Sequence, residues 1–228
     1  MWVRIIAIVV AALGLVASAV TFDASGAASQ AMSLASSSVS QSGAAPRAAM
    51  VKRGAEVLDQ AWSQPLRWHP GAMEARSWLS TLEAEAHGED ISQFRISRFY
   101  AEASAAHSPL QPYPWLRLAM LELHGERNAL CDAKTCLDRS WRANVFMEPG
   151  VACERLHVAL QAGVTFDADD PRLIAYGATR PRPRAMSECL DFLPPDVVYS
   201  LLIARHRIRA RQEARGVEPS RAETVDAP

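Results

Sequence analysis

The sequence predicts an all-α protein whose body is built from helical hairpins of irregular period 37–38, placed behind an N-terminal membrane anchor or signal. Three observations carry this. Glycine numbers only 11 of 228 residues, too few for a turn-rich β architecture, whereas alanine, the strongest helix former, numbers 40. Residue pairs recur along the body at a fixed displacement. Sixteen consecutive residues near the start, Ile5 to Val20, carry no charge.

Charge excludes one large class of partner. Lysine and arginine sum to 24 against 25 acids, so no global basic field exists for nucleic acid. Hydrophobic residues at 49 % exclude a wholly disordered chain. Arginine outnumbers lysine 22 to 2, a bias that a GC-rich genome produces without any function attached.

Residues 1–22 form the leader. The run to Phe22 reaches about 27 Å as a helix, close to the thickness of a bilayer core. Ala17-Ser18-Ala19 suits signal cleavage near Ala19, whereas the single charge Arg4 and the apolar run continuing through Val20 suit an uncleaved anchor. Arg4 before the span, with no further basic residue until Arg47, predicts a cytoplasmic N-terminus and a periplasmic body at the inner membrane. Cleavage would release the same body to the periplasm. Residues 23–46, dominated by Ala, Ser, Gly and Gln, read as a flexible linker. Residues 47–213 read as one helical domain, and 214–228 as a disordered tail.

Within the body, Trp78-Leu79 recurs as Trp115-Leu116 and His87-Gly88 as His124-Gly125, both 37 residues on (78 to 115, 87 to 124). A weaker third copy aligns Leu118 and Gly125 with Leu156 and Gly163 at 38 (118 to 156, 125 to 163). Each copy opens on proline, at Pro70, at Pro112 or Pro114, and at Pro149. Proline suits a first helical turn, and glycine suits the left-handed position just past a helix end. The unit therefore reads as Pro–helix–Gly followed by a second helix. Ile91, Phe94, Ile96, Phe99, Ala103 and Ala106 give one second helix over 91–106. Ala133, Cys136, Leu137, Ser140, Trp141 and Val145 give another over 132–146. An earlier helix is expected over 47–64, on Ala55, Leu58, Ala61 and Trp62. Two helices per 37 or 38 residues mark a helical-hairpin solenoid, longer per unit than the 34-residue tetratricopeptide repeat.

The phrase Ser108-Pro109-Leu110-Gln111-Pro112-Tyr113-Pro114-Trp115-Leu116-Arg117-Leu118-Ala119, set behind a leader and a small-residue spacer, resembles the small tetratricopeptide-like proteins of bacterial exopolysaccharide clusters. The VpsP-like polysaccharide biosynthesis proteins are the group it resembles most, over about residues 50–200. It is also similar to the repeat region attached to some O-antigen ligases and polymerases. The resemblance implies a non-catalytic, membrane-tethered scaffold or accessory protein whose partners belong to an envelope polysaccharide assembly. It carries no catalytic motif to transfer. An adaptor in cell-wall or division assembly, or a periplasmic protein that binds or acts on glycans, shares these features.

Beyond Gly163, Asp169-Asp170-Pro171 is expected to cap a short helix ending at Gly177. Arg180-Pro181-Arg182-Pro183-Arg184 reads as an extended basic connector, since alternate prolines forbid helix. Pro194-Pro195-Asp196 opens a last helix with an apolar front (Val197, Val198, Leu201, Leu202) and a back carrying Arg205, Arg207, Arg209, Arg211 and Arg215. Spacing by two spreads those arginines around the helix, as in a solvated capping element.

Chemistry is sparse. Cys131, Cys136, Cys153 and Cys189 form an even set in a chain expected to be exported, which favours disulfides of open pairing. Bridging Cys131 to Cys136 would staple the start of a second helix. Their C-x4-C spacing also admits zinc, but no matching second pair follows, so neither metal nor cofactor is expected. The histidines at 69, 87, 107, 124, 157 and 206 form no H-E-x-x-H, and His87 and His124 sit where a helix end favours a cation. Glu83 and Glu85, like Asp169 and Asp170, are neighbours without a sign of burial. No nucleophile elbow, P-loop or dinucleotide fingerprint is present. Trp62, Trp68, Trp78, Trp115 and Trp141, beside leucines at helical spacing, are expected in the core.

Overall fold

Proline opens five of the helices, and glycine closes three. The computed structural model describes residues 25–34, 44–61, 69–88, 90–144, 149–167, 169–178 and 193–214, and among these every regular element is helical, with no strand. In order they are α1 (25–34), α2 (Ala44–Ala61), α3 (Pro70–Ala86), α4 (Ile91–His107), α5 (Pro112–Leu123), α6 (Ala133–Ala143), α7 (Pro149–Gln161), α8 (Pro171–Ala178) and α9 (Pro195–Ala214). Five of the nine start on a proline, whose fixed φ is already helical and whose missing N–H would have no partner there.

The chain divides into two compact units, Met1–Ala143 and Asn144–Pro228, where the sequence suggests a single domain over 47–213. The reason is physical: domain integrity depends on contacts between distant segments, which helical periodicity does not encode.

In the first unit α3 packs against α4, and α5 against α6, as two antiparallel hairpins, with α4 in turn against α5. The α3–α4 interface combines small residues with one ring. Ala84, Ala101 and Ala105 are buried, as are Ser77, Ser97 and Ser104, and Phe94 of α4 packs with Ala84 and with Leu121 of α5. Its hydroxyls satisfy one another: Ser97 Oγ donates to the Ser77 carbonyl at 2.8 Å and lies 2.8 Å from Thr81 Oγ1. The α5–α6 interface is bulkier, with Leu116, Leu118, Leu137 and Trp141 buried.

Ahead of the hairpins, α1 and α2 close a core of Ala28, Ala31, Val51, Leu58, Ala75, Leu79 and Leu82. Gly54 lets α2 approach this closely, because a Cβ there would sit 2.9 Å from Leu79 Cδ2 and 3.5 Å from the Ala31 carbonyl. The flexible linker expected over 23–46 is thus corrected: residues 25–34 are helical and bury Ala28 and Ala31. Alanine has both the helix propensity and the small apolar surface to do so, which a count of Ala and Ser as spacer residues overlooks. The helix expected over 47–64 is present as α2, described from Ala44 to Ala61, with residues 62–64 outside the described residues.

The second unit holds α7, α8 and α9. Leu156, Val158, Ala159, Leu173, Leu193, Val197, Leu201 and Ala204 are buried. Asp170 caps α8, its carboxylate accepting the backbone N–H and both the Nε and Nη2 of Arg172. Arg207 of α9 pairs with Asp169 at the same helix start.

Among the described residues no helix is long and apolar enough to cross a membrane. The leader 1–22, the connector Arg180–Arg184, Trp62, Trp68, Cys189 and the tail from residue 215 lie outside the described residues.

Candidate functional site

The residues that define the repeat in the sequence fall at equivalent structural positions. His87 and His124 are the C-cap residues of α3 and α5, and Gly88, Gly125 and Gly163 follow or lie just beyond α3, α5 and α7 at φ +75°, +85° and +71°. Only glycine takes this left-handed backbone without cost. The hydrogen bonds match too. Gly125 N donates to Glu122 O and Glu126 N to Leu121 O, while Gly163 N donates to Leu160 O and Val164 N to Ala159 O. Both pairs are the reciprocal bonds of a Schellman end. In the first copy Gly88 N donates to Glu85 O, and Asp90 N reaches Ala84 O. The histidines cap through their backbone, and the His124 ring stacks on Phe94 of α4 at 5.1 Å.

Trp78 is half-buried against the α1–α3 core, Leu79 and Leu116 are buried, and Trp115 and Trp141 are buried. Trp115 Nε1 donates to the Pro109 carbonyl at 2.8 Å, which holds the turn into α5. Each repeated tryptophan carries an arginine on its face: Arg117 lies 4.0 Å above Trp78, and Arg139 lies 4.8 Å above Trp115. The first contact ties α5 to α3; the second ties α6 to α5.

Two further repeated features escaped the sequence reading. Ser104 Oγ of α4 donates to Pro70 O at 3.2 Å, and Ser140 Oγ of α6 donates to Pro112 O at 2.7 Å. In both hairpins a serine of the second helix ties down the first residue of the first. Arg117 and Arg155, 38 residues apart (117 to 155), are both buried, at 4 % and 0 % exposure. The Leu118–Leu156 alignment already put them in register, but arginine reads as a surface residue in sequence.

The loop between α5 and α6 is pinned from several sides. Cys131 and Cys136 are disulfide-bonded, and Cys153 is disulfide-bonded as well. The bridge takes Cys131 and Cys136 out of the zinc alternative, and among the described residues no cluster of His, Cys, Asp and Glu is arranged to hold a metal. Asn128 Oδ1 accepts the N–H groups of Leu130 and Cys131, and Glu122 accepts the Asn128 N–H. From α4, Arg98 donates to Arg127 O and Glu102 accepts the Ala129 N–H.

Aspartates cap three helices and are held below the ordinary carboxylate range. For Asp90 the main cause is the Ser92 hydroxyl and for Asp132 the Thr135 backbone N–H. Burial raises Asp170, but the Arg172 hydrogen bonds and charge outweigh it.

One cavity of about 500 Å³ opens in the first unit, where α1, the start of α3, the end of α4 and the start of α5 converge. His69, Glu74, Ser104, Gln111 and Tyr113 supply polar groups, and Met32 an apolar wall. Its size suits a small ligand. Ser25 Oγ stands 3.5 Å from His69 Nε2, and His69 Nδ1 has no hydrogen-bond partner among the described residues. Among the described residues of the lining, Glu74, buried at 8 % exposure, is the one carboxylate.

Comparison with protein-family models, with curated proteins and with solved structures finds no match to this chain.

Proposed function

We propose that the protein is a non-catalytic scaffold or accessory factor in bacterial envelope polysaccharide biosynthesis or export. On this reading residues 1–22 tether it to the inner membrane, or are cleaved near Ala19, and the body lies in the periplasm. The observation that carries the scaffold half is the equivalent construction of α3–α4 and α5–α6: proline start, glycine end at a spacing of 37 (88 to 125), and a serine tie to the opening proline. Equivalent hairpins stacked in series support a tetratricopeptide-like solenoid, an architecture whose extended faces grip protein segments. The Cys131–Cys136 bridge supports an oxidising compartment. The polysaccharide half rests on the resemblance of residues 108–119.

The experiment is a tagged pull-down from gently crosslinked native membranes, with partners identified by mass spectrometry. Polysaccharide polymerases, exporters or glycosyltransferases are the expected catch. Division or wall-synthesis proteins in their place would replace the assignment with an adaptor role. Absence of any protein partner would move the function to glycan binding, with the His69–Tyr113 cavity as the place to mutate. A periplasm-active reporter fused after Pro228 is expected to be active, and silence would sink the export claim.

A further inference from the structure

The outward face of α4 carries a regular apolar seam. Its inward side is Phe94, Ser97, Ala101, Ser104 and Ala105. Opposite them stand Ile96, Phe99, Ala103 and Ala106, with the 3-4-3 spacing of a coiled-coil a/d stripe. Ile96 is 39 % exposed and Phe99 55 % exposed, and the Tyr100 ring packs edge-on against Phe99 at 5.3 Å. Leu110, at 82 % exposure, lies in the turn just past the helix end. Large apolar side chains in water at seam spacing call for a covering helix.

The order of sizes along the seam says which helix fits. The bulky members stand in its first half and the alanines in its second. In an antiparallel pair each a position meets a d position, so a residue meets the one whose number completes 202 (96 with 106, 99 with 103). Ile96 then meets Ala106 of the second copy and Phe99 meets Ala103, with the reciprocal pairs on the other side of the axis. Every layer places one large side chain against one small one. A parallel pair would set Phe99 on Phe99 and alanine on alanine, crowding one end and leaving a gap at the other.

We infer that the α4 face binds a second copy of this chain, α4 against α4, antiparallel about a two-fold axis. Such an interface is isologous, as closed dimers are. At its flanks Tyr100 faces Tyr100, and Gln93 faces His107, of the second copy. Glu102 also faces its own equivalent, but its carboxylate is turned to its own loop, where it accepts the Ala129 N–H. One helix pair is a small interface beside the roughly 800 Å² per partner of a stable complex, so the dimer is weak and reversible. That strength suits a protein concentrated at a membrane and does not depend on what else the scaffold binds.

The test uses the full chain in detergent, followed by sedimentation velocity up to about 100 µM. A reversible monomer–dimer equilibrium is expected. Phe99→Arg, at an exposed position, is expected to weaken it about tenfold or more while leaving helical circular dichroism and the melting temperature unchanged. Ala106→Arg serves as the second variant. Register is read separately, with two tagged copies mixed. Ile96→Cys in one and Ala106→Cys in the other should be joined by a short bismaleimide, with the unsubstituted chain as control. A chain still monomeric at the top concentration overturns the inference. So does a dimer indifferent to both arginines, or preferential linking of Ile96→Cys to itself.

Discussion

The two hairpins of the first unit share a frame and differ in what fills it. In α3–α4 the turn is short, from His87 to Asp90, and the interface is alanine and Phe94 with a knot of hydroxyls, Ser77, Thr81 and Ser97. In α5–α6 the connection spans residues 124–132, and the interface is leucine and tryptophan with Cys136. A short turn holds two helices close by itself, and small residues are what close approach allows. A longer connection leaves more conformational freedom to remove, and this one carries the disulfide and the Asn128 and Glu122 hydrogen bonds. Equivalent ends thus coexist with unlike cores. The frame is local capping chemistry, and the filling is free to drift.

Truncations should separate the two fillings most strongly. Leu137, 1 % exposed in α6, is expected to cost about 2–5 kcal/mol as Leu137→Ala, because the cavity adds to the lost burial. Ser97→Ala in α4 removes the donor to Ser77 O and the partner of Ser77 Oγ, while Thr81 Oγ1 still donates to Ser77 O, for about 0.5–1.5 kcal/mol. Urea melts of both variants check the order. A Ser97→Ala variant that loses nothing would mean the hydroxyl knot is no more than filler.

The staple comes next. Cys131 and Cys136 close a ring of only six residues, so the chain-entropy account allows about 2 kcal/mol for replacing both by serine. The Asp132 and Asn128 hydrogen bonds survive in that variant and hold the loss at or below this figure. Thermal melts of Cys131→Ser/Cys136→Ser against the parent decide it, and equal stability would reduce the bridge to a bystander.

The same division explains what was legible from residue order. Helix starts at Pro70, Pro112, Pro149, Pro171 and Pro195, and ends at Gly88, Gly125 and Gly163, could be read because capping is decided within one turn. Filling could not. Ala28 and Ala31 looked like spacer until α2 and α3 covered them, and nothing in residue order pairs Ser77 with Ser97, whose hydroxyls meet across 20 residues. Arg117 was hidden for the opposite reason: a charge becomes tolerable inside when an indole face, here Trp78, lies beneath it. The cysteine pairing and the cavity both depend on distances between segments, for which composition has no term. The division at Ala143 is of the same kind.

The smallest expected effect tests the shared frame directly. Asp90 and Asp132 stand at equivalent starts of the second helices, α4 and α6, and each accepts a backbone N–H of the first turn, from Ser92 and from Thr135. Both carboxyls titrate below their ordinary range in the folded chain, Asp90 chiefly through the Ser92 hydroxyl and Asp132 through the Thr135 N–H. A depressed folded value means that the unfolded chain binds the proton first as pH falls. The stabilisation is therefore complete above the unfolded carboxylate value of about 4 and drains away as acid drives the pH through it toward the lower folded values. Asparagine caps as well as aspartate but does not titrate. Asp90→Asn and Asp132→Asn should each flatten the fall in melting temperature between about pH 5 and pH 3 by a similar amount, and together by the sum, since the two ends share no partner. Unequal flattening would mean that the caps are equivalent in geometry and not in energy. An acid profile unchanged in the double variant would place the acid sensitivity elsewhere, with Asp170 and its Arg172 partner in the second unit the next to replace.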